Sequence, residues 1–323
     1  MEALVTVIVP TYNSALYVLE TLESIYEQSY ANLSLIISDD CSCDNTVEIA
    51  KKWVQNYLVK ARFHNIRILT VPNNTGVSAN CNRCIAATTS DYIKFIAGDD
   101  ILLPNCIRDN MSFVQEYPAA KIVFSQIKLF QDEFLDENFL KTTPKDYPKN
   151  FMGQKISVAN QYEQLLLSDR IHYTPSFFAN KQAILEVGGY DESNKLVEDY
   201  PMWLKLTKSG VRLHYFHKAT VGYRIHAKAT NNVGDKVLFK PSIFNSFEIR
   251  RQLAHPSLPW EIVASEYHIH WVSRVFSEMN WNKNTKRHAK FYKVCCFYVN
   301  PFHYIYALKK RLPANKRNSF YIN

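Results

Sequence analysis

Leu4 to Val9 form a nearly continuous apolar run rich in β-branched residues, closed by Pro10. Such a run fits a strand buried on both faces, as in a parallel sheet. Leu16, Leu19, Leu22, Ile25 and Tyr26 follow at helical spacing, which predicts a helix over residues 15–28. The pattern then repeats. Residues 33–38 read as a strand ending at Asp39-Asp40, residues 46–59 as a helix, and residues 66–71 as a third strand. Residues 78–87 read as a helix, and residues 92–97 as a fourth strand ending at Asp99-Asp100. Alternation of this kind predicts right-handed βαβ crossovers and a mostly parallel sheet flanked by helices, an α/β fold.

The polar clusters fall just after the strands. Pro10-Thr11-Tyr12-Asn13, Asp39-Asp40, Pro72 to Gly76 and Gly98-Asp99-Asp100 each occupy a carboxyl end. In open α/β sheets that edge is where ligands bind. Residues 125–160 carry turn-rich stretches and read as an inserted loop region, and order returns over 177–189 and 197–206. In the latter, Tyr200-Pro201 puts proline early in a helix, where its missing N–H costs little. Residues 235–323 read as mostly helical and rich in aromatics.

Charge divides the chain in the same place. The net charge is +8, yet no acidic residue follows Glu278. The segment from Trp281 onward holds ten Lys and Arg residues, so the excess belongs to the tail. Phe291, Tyr292, Phe297, Tyr298, Phe302, Tyr304 and Tyr306 are interleaved with them. Basic and aromatic residues together suit an anionic membrane surface. They also suit nucleic acid or plain packing on a core; the membrane surface is the expected partner and nucleic acid is not. No apolar run reaches spanning length, and the nearest, Val294 to Leu308, is broken by Asn300-Pro301.

Seven cysteines at irregular spacing, with no secretory signal before them, read as reduced thiols of a cytoplasmic protein. Cys81 and Cys84 form a CxxC without a second pair or a thioredoxin-like context, and read as two small side chains on a helix. The turn after the first strand has no glycine, which excludes a dinucleotide-binding oxidoreductase.

The acids carry the candidate chemistry. Asp44 or Thr46 can cap the helix after the second strand, but capping accounts for one acid of Asp39, Asp40 and Asp44, not three. An acid at that strand end suits a nucleobase or ribose. Asp99 and Asp100 are adjacent carboxylates beside a buried strand and repel each other; a divalent cation such as Mg²⁺ or Mn²⁺ would relieve this, and a capped turn before Pro104 is the plain alternative. Glu198-Asp199 lies at a helix start, where the dipole tolerates acids.

Taken in order, these stretches resemble the motifs of the family 2 inverting glycosyltransferases of GT-A fold, of the bacterial polysaccharide type. The series is Val5 to Asn13, Asp39 to Thr46, Asn74 to Ser78, Phe95 to Asp100, Gly188 to Glu192, Glu198 to Leu206 and Tyr223-Arg224-Ile225-His226. It implies a catalytic domain over 1–230 and a helical C-terminal region over 231–323. It further implies that the backbone around Pro10, Thr11 and Tyr12, with Asp40, holds the base of a nucleotide, with uridine diphosphate the one expected from the resemblance. Asn74 and Gly76 would border that nucleotide, and Asp99 would contact the ribose or support the metal. Asp100 would ligate Mn²⁺ or Mg²⁺, Asp199 would be the general base, and His226 would approach the phosphates or metal, or be a packed histidine. The implied reaction is a single displacement from a nucleotide-sugar donor to a glycan or lipid-linked sugar acceptor, peripherally at the inner face of the cell membrane. A non-catalytic nucleotide-sugar-binding or assembly protein is the alternative. Two departures stand out: many relatives have a further acid where this chain has Ala97, and a basic residue where it has Cys81.

Overall fold

The computed structural model describes residues 2–193, 198–226, 237–240, 242–311 and 320. The chain forms two compact units, Met1–Gln161 with Ile171–Ile225, and Tyr162–Arg170 with His226–Asn323. The boundary expected between residues 230 and 231 lies outside the described residues.

The first unit opens as the hydrophobic pattern predicts. Strands β1 (Val5–Thr11), β2 (Leu33–Asp39), β3 (Ile66–Thr70) and β4 (Tyr92–Phe95) alternate with helices. These are α1 (Val18–Tyr26), α2 (Thr46–Gln55), α3 (Tyr57–Arg62) and α4 (Val77–Ala87). The helix expected over 46–59 is two helices, because Asn56 adopts an extended conformation and its side chain caps α3. β3, β2, β1 and β4 are neighbours in that order and parallel. Every residue of β2 is buried, as is nearly all of β1. Each such Val, Leu or Ile stabilises the sheet by about 1.5–3 kcal/mol.

The second half of the sheet is mixed. β5 (Ile101–Leu102) and α5 (Cys106–Glu116) lead into β6 (Ile122–Gln131), β7 (Phe139–Thr143), α6 (Lys149–Met152) and α7 (Val158–Leu167). β8 (Phe178–Asn180), α8 (Lys181–Glu186), α9 (Asp199–Lys208) and β9 (Leu213–Ile225) complete the unit. Among the described residues the sheet has nine strands in the order β3-β2-β1-β4-β8-β6-β9-β5, with β7 paired to β6. The expectation of a loop region over 125–160 is therefore corrected: its first part is the β6–β7 antiparallel hairpin. β6 also runs parallel to β9, with Ile122 opposite Leu213 and Gln131 opposite Ile225.

An aromatic cluster anchors α9. Trp203 is fully buried, with ring centroids 5.0 Å from Phe124 and 4.9 Å from Phe177. Trp203 follows Asp199 by one helical turn, so this packing fixes the helix whose first residue is Asp199.

The second unit is helical: α10 (Ser242–Leu253), α11 (Trp260–Glu278), α12 (Lys286–Lys293), a π-turn (Val294–Tyr298) and α13 (Pro301–Lys310). Its core is Phe239, Val272, Phe276 and Cys296, with Tyr292 stacked on Phe239. Arg250 donates two hydrogen bonds to Glu266, which also pairs with His255, and Arg250 reaches the Leu166 carbonyl at 2.9 Å. Lys309 pairs with the buried Glu261 at 2.9 Å and ties α13 to α11. Among the described residues, no helix is long and apolar enough to cross a membrane.

Candidate functional site

The parallel register delivers the polar clusters to one edge. Pro10 lies opposite Ser38 and Thr11 opposite Asp39 across β1 and β2. On the other side of β1, the chain leaving β4 continues alongside it, with the Ile96 N–H donating to the Ile8 carbonyl at 3.0 Å. The turn Ala97–Asp100 then sits against β1: a Cβ on Gly98 would lie 2.9 Å from Thr11 Cγ2, so only glycine fits.

Within the first acidic turn, all three acids accept hydrogen bonds that shape the loops around them. Asp39 accepts from the Thr11 hydroxyl at 2.9 Å and from the Ser42 N–H at 2.8 Å. Asp44 accepts from the Ala15 N–H at 3.1 Å and the Thr46 N–H at 3.0 Å. Burial alone would raise the Asp44 pKa, but the hydrogen bonds from Thr46 and Ala15 outweigh it and leave it lowered.

Asp40 fastens β2 to the Asn74–Gly76 loop. Its Oδ2 accepts from the N–H groups of Thr75 at 2.9 Å and Gly76 at 2.7 Å. Its Oδ1 accepts from the Thr75 hydroxyl and from Arg83 Nη2 at 3.2 Å. Arg83 also donates to Ser38, Asn80 and Thr75. The sequence reading missed Arg83, noting only that Cys81 lacks a basic side chain; α4 supplies a cation two residues later. Gly76 has φ of 89°, the left-handed region that glycine favours, and it precedes α4. Tyr12, the residue after β1, is exposed.

The second acidic turn is clamped by a residue that sequence reasoning passed over. Arg224, at the end of β9, is buried; its N–H donates to Asp100 Oδ1 at 2.9 Å and its Nε to the Asp99 carbonyl at 2.8 Å. Its remaining nitrogens reach the Asp132 carbonyl and the Glu20 carboxylate. The guanidinium lies over the rings of Tyr17 at 4.5 Å and Phe134 at 4.2 Å. One side chain thus joins α1, the β6–β7 connection and the acid pair. The Tyr223–His226 motif pointed to this stretch, but His226 was the residue chosen. His226 is buried and belongs to the second unit.

Burial pushes the Asp100 carboxyl well above its usual range, and the neighbouring Asp99 adds to the effect; the Arg224 N–H opposes both. Beneath this turn Lys94 is completely buried, its ammonium donating to the carbonyls of Phe95 at 2.8 Å, Pro175 and Phe177 at 3.2 Å. Burial lowers its pKa to about 8. Hard carboxylate oxygens bearing like charge suit Mg²⁺ or Mn²⁺. Among the described residues no cluster of three or more His, Cys, Asp or Glu gathers. The acid pair by itself would offer such a cation one or two carboxylates.

Asp199 and Asp40 share one electrostatic neighbourhood. Cys81 is buried, and its thiol is raised by burial first, then by Cys84, Glu198, Asp199 and Asp40. The Tyr190 hydroxyl is likewise raised by burial, with Cys81, Asp199 and Glu198 adding to it. Asn82 holds this side together: it accepts from the Tyr190 N–H at 2.9 Å and donates to the Tyr190 carbonyl at 3.0 Å and to Glu192 at 2.7 Å.

The family model for Glycosyl transferase family 2 matches residues 6–185. The chain belongs to that family. Putative glycosyltransferase EpsE of Bacillus subtilis is 33% identical over 40% of this chain and 45% of its own length. An uncharacterised glycosyltransferase of Haemophilus influenzae is 27% identical over 63% of this chain and 62% of its own. The match thus spans less than two thirds of either relative. Escherichia coli WfaP, a UDP-Glc:α-D-GlcNAc-diphosphoundecaprenol β-1,3-glucosyltransferase, is 24% identical over 74% of this chain and 84% of its own. The crystal structure of S. aureus TarS in complex with UDP-GlcNAc aligns with a TM-score of 0.60 at 17% identity, covering 95% of this chain and 84% of that one, a likeness of fold.

In this family 2 chain Arg224 makes a separable prediction. Arg224→Met leaves the Asp99 and Asp132 carbonyls without their donor and removes the guanidinium from between two rings. The expected loss is about 3 kcal/mol, seen as a lower thermal midpoint. Arg224→Lys keeps the charge without the planar fork and should recover less than half of it. An unchanged midpoint in both variants would dismiss the clamp.

Proposed function

We propose that the chain is an inverting glycosyltransferase. It transfers a sugar from a nucleotide-sugar, a UDP-sugar on this reading, to an acceptor hydroxyl in cell-surface polysaccharide or glycolipid synthesis. What supports the proposal is the family 2 match over residues 6–185, with Asp40 and the Asp99–Asp100 turn following parallel strands at one edge of the sheet and Asp199 at the head of α9 acting, like Asp40, on the buried Cys81. The UDP donor is supported by WfaP, which uses UDP-Glc, and by the UDP-GlcNAc bound to TarS.

In this mechanism the base lies between the exposed Tyr12 ring, the Pro10–Tyr12 backbone and the Asn74–Gly76 loop. Asp40 and Arg83 keep that loop in shape. Asp99 faces the ribose, and Asp99 and Asp100 would hold the divalent cation with the diphosphate oxygens. A cation there supplies charge that offsets the leaving nucleoside diphosphate. Asp199 accepts the proton of the acceptor hydroxyl as the new glycosidic bond forms on the opposite face of the anomeric carbon from the departing diphosphate. His226 is proposed as a further contact to the phosphates or cation. The acceptor is a glycan or a lipid-linked sugar; the latter is supported by WfaP, whose acceptor is diphosphoundecaprenol-linked, and would suit an enzyme lying peripherally at the inner face of the cell membrane.

Thermal shift and nucleotide release across a panel of UDP-, GDP- and dTDP-sugars, each with Mn²⁺, Mg²⁺ or EDTA, test the reading. One donor should raise the midpoint only with the cation and be hydrolysed slowly. Binding without nucleotide release, even with acceptor extracts, would favour the non-catalytic assembly role; no response to any donor would remove the proposal.

A further inference from the structure

We infer that the C-terminal helices form a docking surface for an anionic lipid bilayer, with an aromatic patch that inserts and a basic rim that binds headgroups. The structure divides the tail aromatics into two groups. Tyr292 stacks on Phe239 and bonds to Ser273 at 2.7 Å, and Phe302 packs on Trp260, so these serve the core. Phe297, Tyr298, Val299, Tyr304 and Leu308 instead stand exposed, Tyr298 and Leu308 by more than 60%. They form one patch and not scattered points. The Tyr304 hydroxyl donates to the Tyr298 carbonyl at 2.9 Å, and the Phe297 ring lies 6.2 Å from His303. Along α13, Pro301, Tyr304, Leu308 and Arg311 recur at helical spacing on the exposed face, while Phe302 and Lys309 turn to α11.

The charge around the patch names its occupant. Lys286, Lys290 and Lys293 line the exposed side of α12 as it runs into Phe297 and Tyr298. Lys310 and Arg311 close the other end beyond Leu308. No acidic side chain follows Glu278 in the sequence, so α12 and α13 bring no carboxylate of their own to oppose an anionic surface. Interfacial helices bury aromatic and aliphatic side chains at the headgroup boundary while Lys and Arg reach the phosphates. No described helix can span a bilayer, so the contact is one of lying on the surface. The purpose of this surface, bringing the site to a lipid-linked acceptor, rests on the transferase reading above; binding itself is measured without donor or acceptor, so either can fail alone.

The test uses the full chain with vesicles of phosphatidylcholine alone or with about one-third phosphatidylglycerol. The wild type should sediment with the anionic vesicles only and be released by high salt. Lys290→Glu/Lys293→Glu/Lys310→Glu and Tyr298→Ser/Tyr304→Ser/Leu308→Ser should each lower the bound fraction at least about ten-fold. The same number of reversals on the exposed lysines of α2 and α3, Lys51→Glu/Lys52→Glu/Lys60→Glu, should leave it unchanged. Circular dichroism checks that the variants fold, and the salt titration of the wild type answers the question without any variant. Absence of binding, equal binding to neutral and anionic vesicles, or wild-type binding by both tail variants overturns the inference. So does a patch whose loss abolishes oligonucleotide binding or self-association while vesicle binding persists.

Discussion

Asp199→Asn is expected to cut glycosyl transfer about 10³-fold while donor affinity stays within about two-fold of wild type. Asn keeps the size and the position at the head of α9 but cannot take the acceptor proton. Asp199 is the first residue of α9, an end of the helix dipole that suits an acidic side chain, and the Trp203 anchor one turn later holds the helix in place. Glu198, the preceding residue, is raised by burial and is the natural comparison. Glu198→Gln should cost far less turnover than Asp199→Asn. The two quantities to measure are kcat with a saturating acceptor and donor Kd by calorimetry. An Asp199→Asn enzyme within ten-fold of the wild-type rate would pass the role of base to another group.

Asp100→Asn should separate activity from stability. Asn can still accept the Arg224 N–H, so the turn should keep its shape. Its neutral side chain cannot offset cationic charge, and transfer should fall by about 10²–10³-fold with loss of the response to Mn²⁺ or Mg²⁺. Stability should move the other way. Burial and Asp99 both disfavour the ionised Asp100, so the acid costs the donor-free protein stability at pH values above the ordinary carboxylate range. Removing that charge should raise the thermal midpoint, equivalent to about 1 kcal/mol. A variant that loses activity and melts lower would show that Asp100 is primarily structural.

The parallel half of the sheet was legible because each strand is a short apolar run that ends in a polar turn, and β1, β2 and β3 pair in the order in which they occur. β6 was hidden for the opposite reason. It pairs with β9, far along the chain, and its mixed exposure and following turn residues made residues 125–160 resemble an insertion. The acids were found because paired carboxylates at a strand end demand an explanation. Which of them serve structure was not readable: Asp39 and Asp44 differ from Asp40 only in the donors that surround them. Arg224 illustrates the same limit. An arginine within an apolar strand end signals a buried partner, but its partners come from α1, the acid turn and the β6–β7 connection, which only the fold brings together.

The place of β9 has a consequence for biosynthesis. It is the last strand of its unit to be made, yet it inserts between β6 and β5 and carries Arg224 to the acid turn. A nascent chain can assemble β1 to β4 early from local crossovers, but β6 lacks its longest partner until Ile225 has left the ribosome. The acid turn is therefore completed by the final stretch of the unit to be translated. Chains stalled before that point expose an unpaired β6 edge, the kind of surface that chaperones shield and that drives aggregation when they do not.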